Sequence, residues 1–295
     1  MKCALVTGAS RGIGRAVALS LAGSGNYPLL VLTARKNREA LADLKEEILA
    51  KYPAQSVLTT AGDAGDPDYA EELRSEITRA GGNVTLLINN AGIAWTGLLT
   101  DMTPAEWDEI LRTNLGSLYT MSRAFSPMLI RASEAARDFD LDQGHEIPLN
   151  QPSQPSKIET SPDGNHPNTN YAQPSSPFLS SEPGGRIINI SSVWGAVGAS
   201  CEVAYSATKG GVTAFTKALA KELAPSHVAV NCIEFGAIDT EMNGHLSSED
   251  KEALAAEIPY GRFATPEEAA KTVLLLSEMP LYVTGATLRM DGGWI

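Results

Sequence analysis

Thr7-Gly8-Ala9-Ser10-Arg11-Gly12-Ile13-Gly14 separates an apolar run, Cys3 to Val6, from a segment with helical periodicity through Ala16, Val17, Leu19 and Leu21. Strand, glycine turn and helix in that order can hold phosphate on the free backbone N–H groups of a helix N-terminus. The glycines let the backbone turn tightly and approach a pyrophosphate. The spacing here is G-x-x-x-G-x-G, not the G-x-G-x-x-G of the commonest dinucleotide fingerprint. A tight strand-to-helix turn without any ligand would use the same residues. A second apolar strand, Leu29 to Ala34, ends in Arg35. A carboxylate about 20 residues past the glycines holds a ribose 2′-hydroxyl, whereas an arginine suits a 2′-phosphate. No acid occurs until Glu39, and Arg11 inside the turn offers a second cation. Either arginine could be an ordinary surface residue, but the missing acid favours NADP(H) over NAD.

Downstream, strands and helices alternate. Asn37 is a candidate cap for a helix reaching Lys51, Ser56 to Thr60 reads as a third strand followed by Asp63, and Asp66-Pro67 starts a helix running towards Ala80. Leu86-Leu87-Ile88 is a fourth strand ending in Asn89-Asn90-Ala91-Gly92. Thr103-Pro104-Ala105-Glu106 carries a capping box, and a long helix is expected from Thr113 to Arg137, with Asn114 near its start. Arg186 to Ile190, Val228 to Ile233 and Thr284 to Met290 supply the remaining strands, and Thr265-Pro266-Glu267-Glu268 opens the last helix. This alternation predicts an α/β fold: a doubly wound parallel sheet of about seven strands with helices on both faces. Ligands of such sheets lie beyond the carboxyl ends of the strands. Gly8, Arg35, Asp63, Asn90 and Ser192 all fall there.

The chain of 295 residues reads as one domain with a single interruption. From about 142 to 183 it holds eight of its seventeen prolines, with abundant Ser, Asn and Gln. Such a segment cannot bury enough apolar surface to offset its ordering entropy, so a mobile surface insertion is expected. A lid or partner-docking loop is the alternative. A net charge of −12 argues against nucleic-acid or anionic-membrane partners. Three scattered cysteines and four scattered histidines fit neither a disulfide framework nor a metal site. No apolar run approaches the ~20 residues of a membrane span, and an apolar strand begins almost at Met1. The expectation is a cytoplasmic protein.

Tyr205 and Lys209, four apart, share a helix face one turn apart, and Ser192 stands thirteen residues before Tyr205. A phenol has a pKa of about 10. A nearby ammonium lowers it, so this pair could arm a proton donor. An isolated Tyr/Lys pair is otherwise an ordinary solvated helix face.

Taken together, Thr7-Gly8-x-x-x-Gly12-Ile13-Gly14, Asn89-Asn90-Ala91-Gly92, Asn114, Ser192 and Tyr205-x-x-x-Lys209 resemble the short-chain dehydrogenase/reductase family, in its branch of about 250 residues with a Rossmann-type fold. The likeness covers nearly everything outside the insertion. It implies that Ser192 hydrogen-bonds a substrate carbonyl, Tyr205 exchanges a proton with it, Lys209 binds nicotinamide ribose and lowers the tyrosine pKa, and Asn114 supports a proton-relay water. It also implies cofactor contacts from Gly8, Ser10, Arg11, Gly12, Ile13, Gly14, Arg35, Asp63, Asn90, Ala91, Gly92, Tyr205, Lys209, Gly236, Ile238 and Thr240, and a homotetramer or homodimer.

Asn189 to Gly195 and the glycine turn are most similar to 3-oxoacyl-acyl-carrier-protein reductases. The chain departs from that pattern in two places. Phe235-Gly236, preceded by Glu234, stands where relatives have Pro-Gly. The basic residues that dock acyl carrier protein near the fifth helix's end reduce to Arg131 and Arg137, beside Asp138, Asp140 and Asp142. Trp95, Trp194 and Phe235 could line an apolar pocket for a free ketone or belong to the core. The expected activity is an NADPH-dependent carbonyl reductase with Tyr205 as general acid. A secondary-alcohol (steroid or polyol) dehydrogenase and a non-catalytic NADP-sensing protein are the alternatives.

Overall fold

The computed structural model describes residues 1–142, 184–244 and 246–295; the expected insertion lies outside them, save Asp142. Strands β1 (Lys2–Val6), β2 (Leu29–Ala34), β3 (Ser56–Ala61), β4 (Asn83–Asn89), β5 (Arg186–Ser192), β6 (Ala229–Phe235) and β7 (Thr287–Met290) form one sheet in the order 3-2-1-4-5-6-7. Every neighbouring pair is parallel. The helices are α1 (Gly12–Ser24), α2 (Arg38–Lys51), α3 (Pro67–Arg79), α4 (Pro104–Leu111), α5 (Ser117–Asp142), α6 (Trp194–Val197), α7 (Val203–Leu223), α8 (Ser248–Glu257) and α9 (Pro266–Glu278).

Alternation along each strand feeds two cores. Ala4, Val6, Leu30 and Leu32 pack with Leu21 of α1, Leu44 of α2 and Val273 of α9. Cys3, Leu5, Leu29 and Val31 pack with Leu73 of α3, Phe125 of α5 and Leu223 of α7. This is the doubly wound, Rossmann-type sheet the sequence predicts. Its strand order reverses between β1 and β4, which opens a crevice at their carboxyl ends.

Helix starts follow the predicted caps. Asn37 accepts from the Ala40 N–H at 3.0 Å, and Thr103 with Glu106, and Thr265 with Glu268, form reciprocal capping boxes. A buried polar rib crosses the sheet. Asn89 Nδ2 donates to Asn189 Oδ1 at 2.9 Å and to Ser122 Oγ at 3.2 Å, and Asn189 Nδ2 donates to Thr216 Oγ1 at 2.9 Å. It ties β4 and β5 to α5 and α7, fixing the strand ends that carry Asn90 and Ser192.

Of the boundaries that differ from expectation, two have a visible cause or consequence. The long helix predicted from Thr113 is α5, beginning at Ser117, and the separately predicted helix at Pro104 runs into it through a π-helical turn, Arg112–Gly116. Such wide turns re-aim single side chains and recur at functional sites; this one carries Asn114. The last strand begins at Thr287, because Gly285 adopts φ +72° and the Thr284 hydroxyl, not its backbone, accepts from Val230 N–H at 3.0 Å.

Candidate active site

The glycine turn is packed against the end of β4. A Cβ at Gly14 would lie 2.2 Å from the Gly8 carbonyl oxygen, and Gly8 itself has φ +66°, so neither position accepts a side chain. Thr7 Oγ1 accepts from the N–H groups of Asn90 and Ala91, both at 3.0 Å, while Asn90 Nδ2 donates to the carbonyls of Thr7 and Gly8 at 2.9 and 3.1 Å. Asn90 therefore braces the turn. The start of α1 carries no side-chain cap and no acid in its first turn. Its N–H groups and positive dipole end are available to an anion.

The turn borders a groove of about 460 Å³, to which Ser10, Arg11, Gly12 and Ile13 contribute one wall. Ala91, Gly92 and Thr240 face them, and Arg35 and Asp63 stand at the outer end. A second cavity of about 250 Å³ adjoins it, sharing Ile13, Asn90, Gly92 and Thr240, and holds Ser192, Tyr205, Lys209, Gly236 and Ile238. The sequence-predicted residues thus form one continuous depression, with the exception of Asn114. That residue stands behind it, buried, accepting from the Ile93 N–H at 2.9 Å and donating to the Ile93 carbonyl and to Thr208 Oγ1, each at 3.0 Å. It pins the Gly92–Ile93 backbone to α7.

At the inner end the Ser192 hydroxyl accepts from the Trp194 N–H at 3.2 Å and is hydrogen-bonded to Tyr205. The Lys209 ammonium donates to the Ile190 carbonyl at 2.9 Å and lies 5.5 Å from the Tyr205 ring centre. The expected lowering of the tyrosine pKa by this lysine is reversed. Enclosure of the Tyr205 hydroxyl pushes its pKa up to about 12, against the pull of the Ser192 hydrogen bond, and Glu202 adds to the rise. Burial also pushes Lys209 down to about 8. Desolvation of each charged form outweighs an ammonium that is aimed at a carbonyl rather than at the phenol oxygen.

At the outer end partners dominate. Arg35 Nη1 donates to Glu109 Oε1 at 2.7 Å, and its Nε lies 3.9 Å from Asp63 Oδ2. Burial raises the Asp63 carboxyl, but hydrogen bonds from Arg112 and the Gly65 N–H, with the charges of Arg112 and Arg35, hold it below the usual range. The hydrogen bond from Arg35 does the same for Glu109.

The substrate-side aromatics correct the sequence reading. Phe235 and Trp194 line the inner cavity, as one alternative held. Trp95 does not line it: its indole N–H donates to Glu106 Oε1 at 3.1 Å and its ring covers Gly97. Trp294, unmarked in the sequence reading, occupies the wall instead, edge-on to Trp194 with ring centres 4.8 Å apart. Gly292-Gly293 after the last strand is the signal of a turn that sends Trp294 back across the site. The departure at Glu234 leaves the cavity untouched, since strand alternation points it away, towards Thr213 Oγ1 at 3.1 Å and Arg289 Nη2 at 3.2 Å.

A crossover sheet with a glycine turn, a helix-borne Tyr/Lys pair and a serine at the neighbouring strand end defines a dinucleotide-type oxidoreductase architecture. The chain belongs to the short-chain dehydrogenase/reductase family: the short chain dehydrogenase profile matches residues 2–136, and the profile described as Enoyl-(Acyl carrier protein) reductase matches residues 162–295. It is 34% identical to the Bacillus subtilis uncharacterized oxidoreductase YmfI, across 99% of this chain and 98% of that protein. It is 32% identical to the 3-oxoacyl-[acyl-carrier-protein] reductase FabG of Aquifex aeolicus, across 99% and 96%. With the Pseudomonas aeruginosa FabG the identity is 34%, across the same shares. Among the described residues no helix is long and apolar enough to cross a membrane.

Proposed function

We propose that this protein is an NADPH-dependent carbonyl reductase, with Tyr205 as the general acid. The observation that carries the reading is the convergence of the Ser192 hydroxyl, the Tyr205 phenol and the Lys209 ammonium at the inner end of the glycine-lined groove. The uncapped start of α1 and the absence of any room for side chains at Gly8 and Gly14 fit a dinucleotide pyrophosphate. Arg35 and Arg11 would hold the 2′-phosphate, and Lys209, which uses one of its three donors on Ile190, has two left for ribose hydroxyls. Bound there, the nicotinamide supplies the hydride.

The chain's own groups do the rest. Ser192 Oγ accepts from Trp194 N–H, and its own proton, engaged with Tyr205, would turn to a carbonyl oxygen where negative charge grows. Tyr205, held as the neutral phenol through physiological pH, carries the proton that this oxygen needs. Lys209 remains a cation below pH of about 8 and attracts the developing oxyanion. Asn114 acts behind them, fixing α7 against the Gly92–Ile93 segment. The 3-oxoacyl names of the relatives support a ketone substrate. NADPH oxidation followed at 340 nm against a panel of small ketones tests the proposal, which predicts consumption with ketone and none without it. Absence of turnover with every ketone would refute it.

A further inference from the structure

Resting on the carbonyl-reductase reading, we propose that Trp194 and Trp294 form the specificity wall of the inner cavity, and that this cavity takes a compact, uncharged ketone with an aryl or branched apolar group rather than a long acyl thioester. The two indoles meet edge to face at an interplanar angle of 65°, an arrangement aromatic pairs favour. Both line the cavity that contains Ser192 and Tyr205.

Each ring is held from its backbone. Trp194 donates its N–H to Ser192 Oγ at 3.2 Å, so the ring and the carbonyl-binding hydroxyl share one support. The next residue, Gly195, abuts α7 so closely that a Cβ there would lie 2.5 Å from the Lys209 carbonyl carbon. On the other side, Gly292 and Gly293 take φ values of +67° and +81°, turning the chain back after β7. The Asp291 carboxylate accepts from the N–H groups of Gly293 and Ile295 at 2.9 and 3.1 Å, and the Gly292 carbonyl accepts from Tyr260 N–H at 3.1 Å. Trp294 is thereby placed on a tied turn.

The space left is small. At about 250 Å³ the cavity lies below the roughly 300–1,000 Å³ of pockets for drug-sized ligands, and its Asn90 and Gly92 side is shared with the cofactor groove. Among the described residues of its lining, the ionisable side chain besides Tyr205 and Lys209 is Glu202, a carboxylate that disfavours anionic substrates. Indole faces and a carboxylate suit a neutral aryl or branched ketone.

The experiment compares kcat/KM, with NADPH, for acetophenone and for the N-acetylcysteamine thioester of 3-oxohexanoate. The native protein is expected to prefer acetophenone. Trp194→Ala and Trp294→Ala should each shift the ratio at least tenfold towards the thioester, through the KM of acetophenone, while NADPH affinity read from its own fluorescence stays within twofold. Trp294→Phe should keep the native ratio, and Trp294→Leu replaces the alanine variant if that one fails to fold. A native preference for the thioester, a ratio unmoved by both Trp replacements, or equal turnover of anionic phenylglyoxylate overturns the proposal. Equilibrium dialysis of acetophenone with NADPH-loaded protein separates it from the reductase reading. Retention that falls at least fivefold in Trp294→Ala upholds the wall even where no ketone is reduced, whereas equal retention by native and variant protein overturns it.

Discussion

The two ends of the depression hold their charges in opposite ways. At the inner end Lys209 is 6% exposed, and desolvation moves it and Tyr205 away from their charged forms. At the outer end Arg35, Glu109, Asp63 and Arg112 are partly exposed and arranged as ion pairs, and the carboxylates are moved towards their charged forms. A buried unpaired ammonium destabilises the fold and is little affected by salt. Exposed pairs contribute about 0–1 kcal/mol and are screened. On the proposed reading, the inner end would do the chemistry at a cost in stability, and the outer end would hold the cofactor by charges that can be exchanged for one another.

Removing the phenolic hydroxyl should give the largest effect and confine it to the inner end. Tyr205→Phe is expected to lower kcat about 10³-fold, in the range of general acid catalysis, while NADPH affinity changes less than twofold. Turnover at the native rate would break the assignment. The outer-end counterpart is Arg35→Ala. It should weaken NADPH about tenfold to a hundredfold, as loss of a charge-assisted phosphate contact does, with NADH affinity held within twofold. Equal weakening of both would remove the 2′-phosphate site.

A third test probes the stability cost. Lys209 has a native pKa of about 8, against roughly 10.4 in an unfolded chain. Below pH 8 both states are protonated, and the native state carries the buried charge at a cost of about 3 kcal/mol. Between the two values the native state sheds its proton first, so stability rises with pH across that window. Lys209→Met should thus be more stable than the native protein at pH 7 by about 1 kcal/mol, net of the Ile190 carbonyl it leaves without a donor. The advantage should vanish as pH approaches 10. Urea unfolding from pH 7 to 9.5 reads this before Tyr205, whose raised pKa makes stability fall above pH of about 10, complicates the comparison. An advantage that grows with pH would reverse the sign of the argument.

How far each end was legible in the sequence follows from the range of the interactions. The glycine turn, the strands and the caps are local patterns, and the Tyr205/Lys209 spacing puts both on one helix face whatever surrounds them. The direction of their pKa shifts is not local, because it depends on what encloses the hydroxyl and on the Ile190 carbonyl nineteen residues away that takes the ammonium. Arg35 was legible as a cation at a strand end, but its partner Glu109 comes from α4, 74 residues on. Trp294, not Trp95, lines the cavity for the same reason: an aromatic residue's side of a turn is set by tertiary packing. The π-helical turn at Asn114 leaves no composition signal at all.

The smallest expected effect sharpens the contrast most, because it adds affinity by deleting a contact. Glu109 now accepts from Arg35 at 2.7 Å, so a 2′-phosphate must displace it before the guanidinium can turn to the ligand. Glu109→Gln removes the competing charge and keeps the side chain's size. NADPH should then bind about two- to fivefold tighter at low ionic strength, the worth of one exposed pair, with NADH unchanged. The Debye length falls from about 30 Å at 0.01 M salt to roughly 8 Å at 0.15 M, so the gain should shrink as salt is added. Fluorescence titration of NADPH at two salt concentrations measures it. Tighter NADH binding of the same size would mean that Glu109 acts on the whole groove and not on the Arg35 end alone.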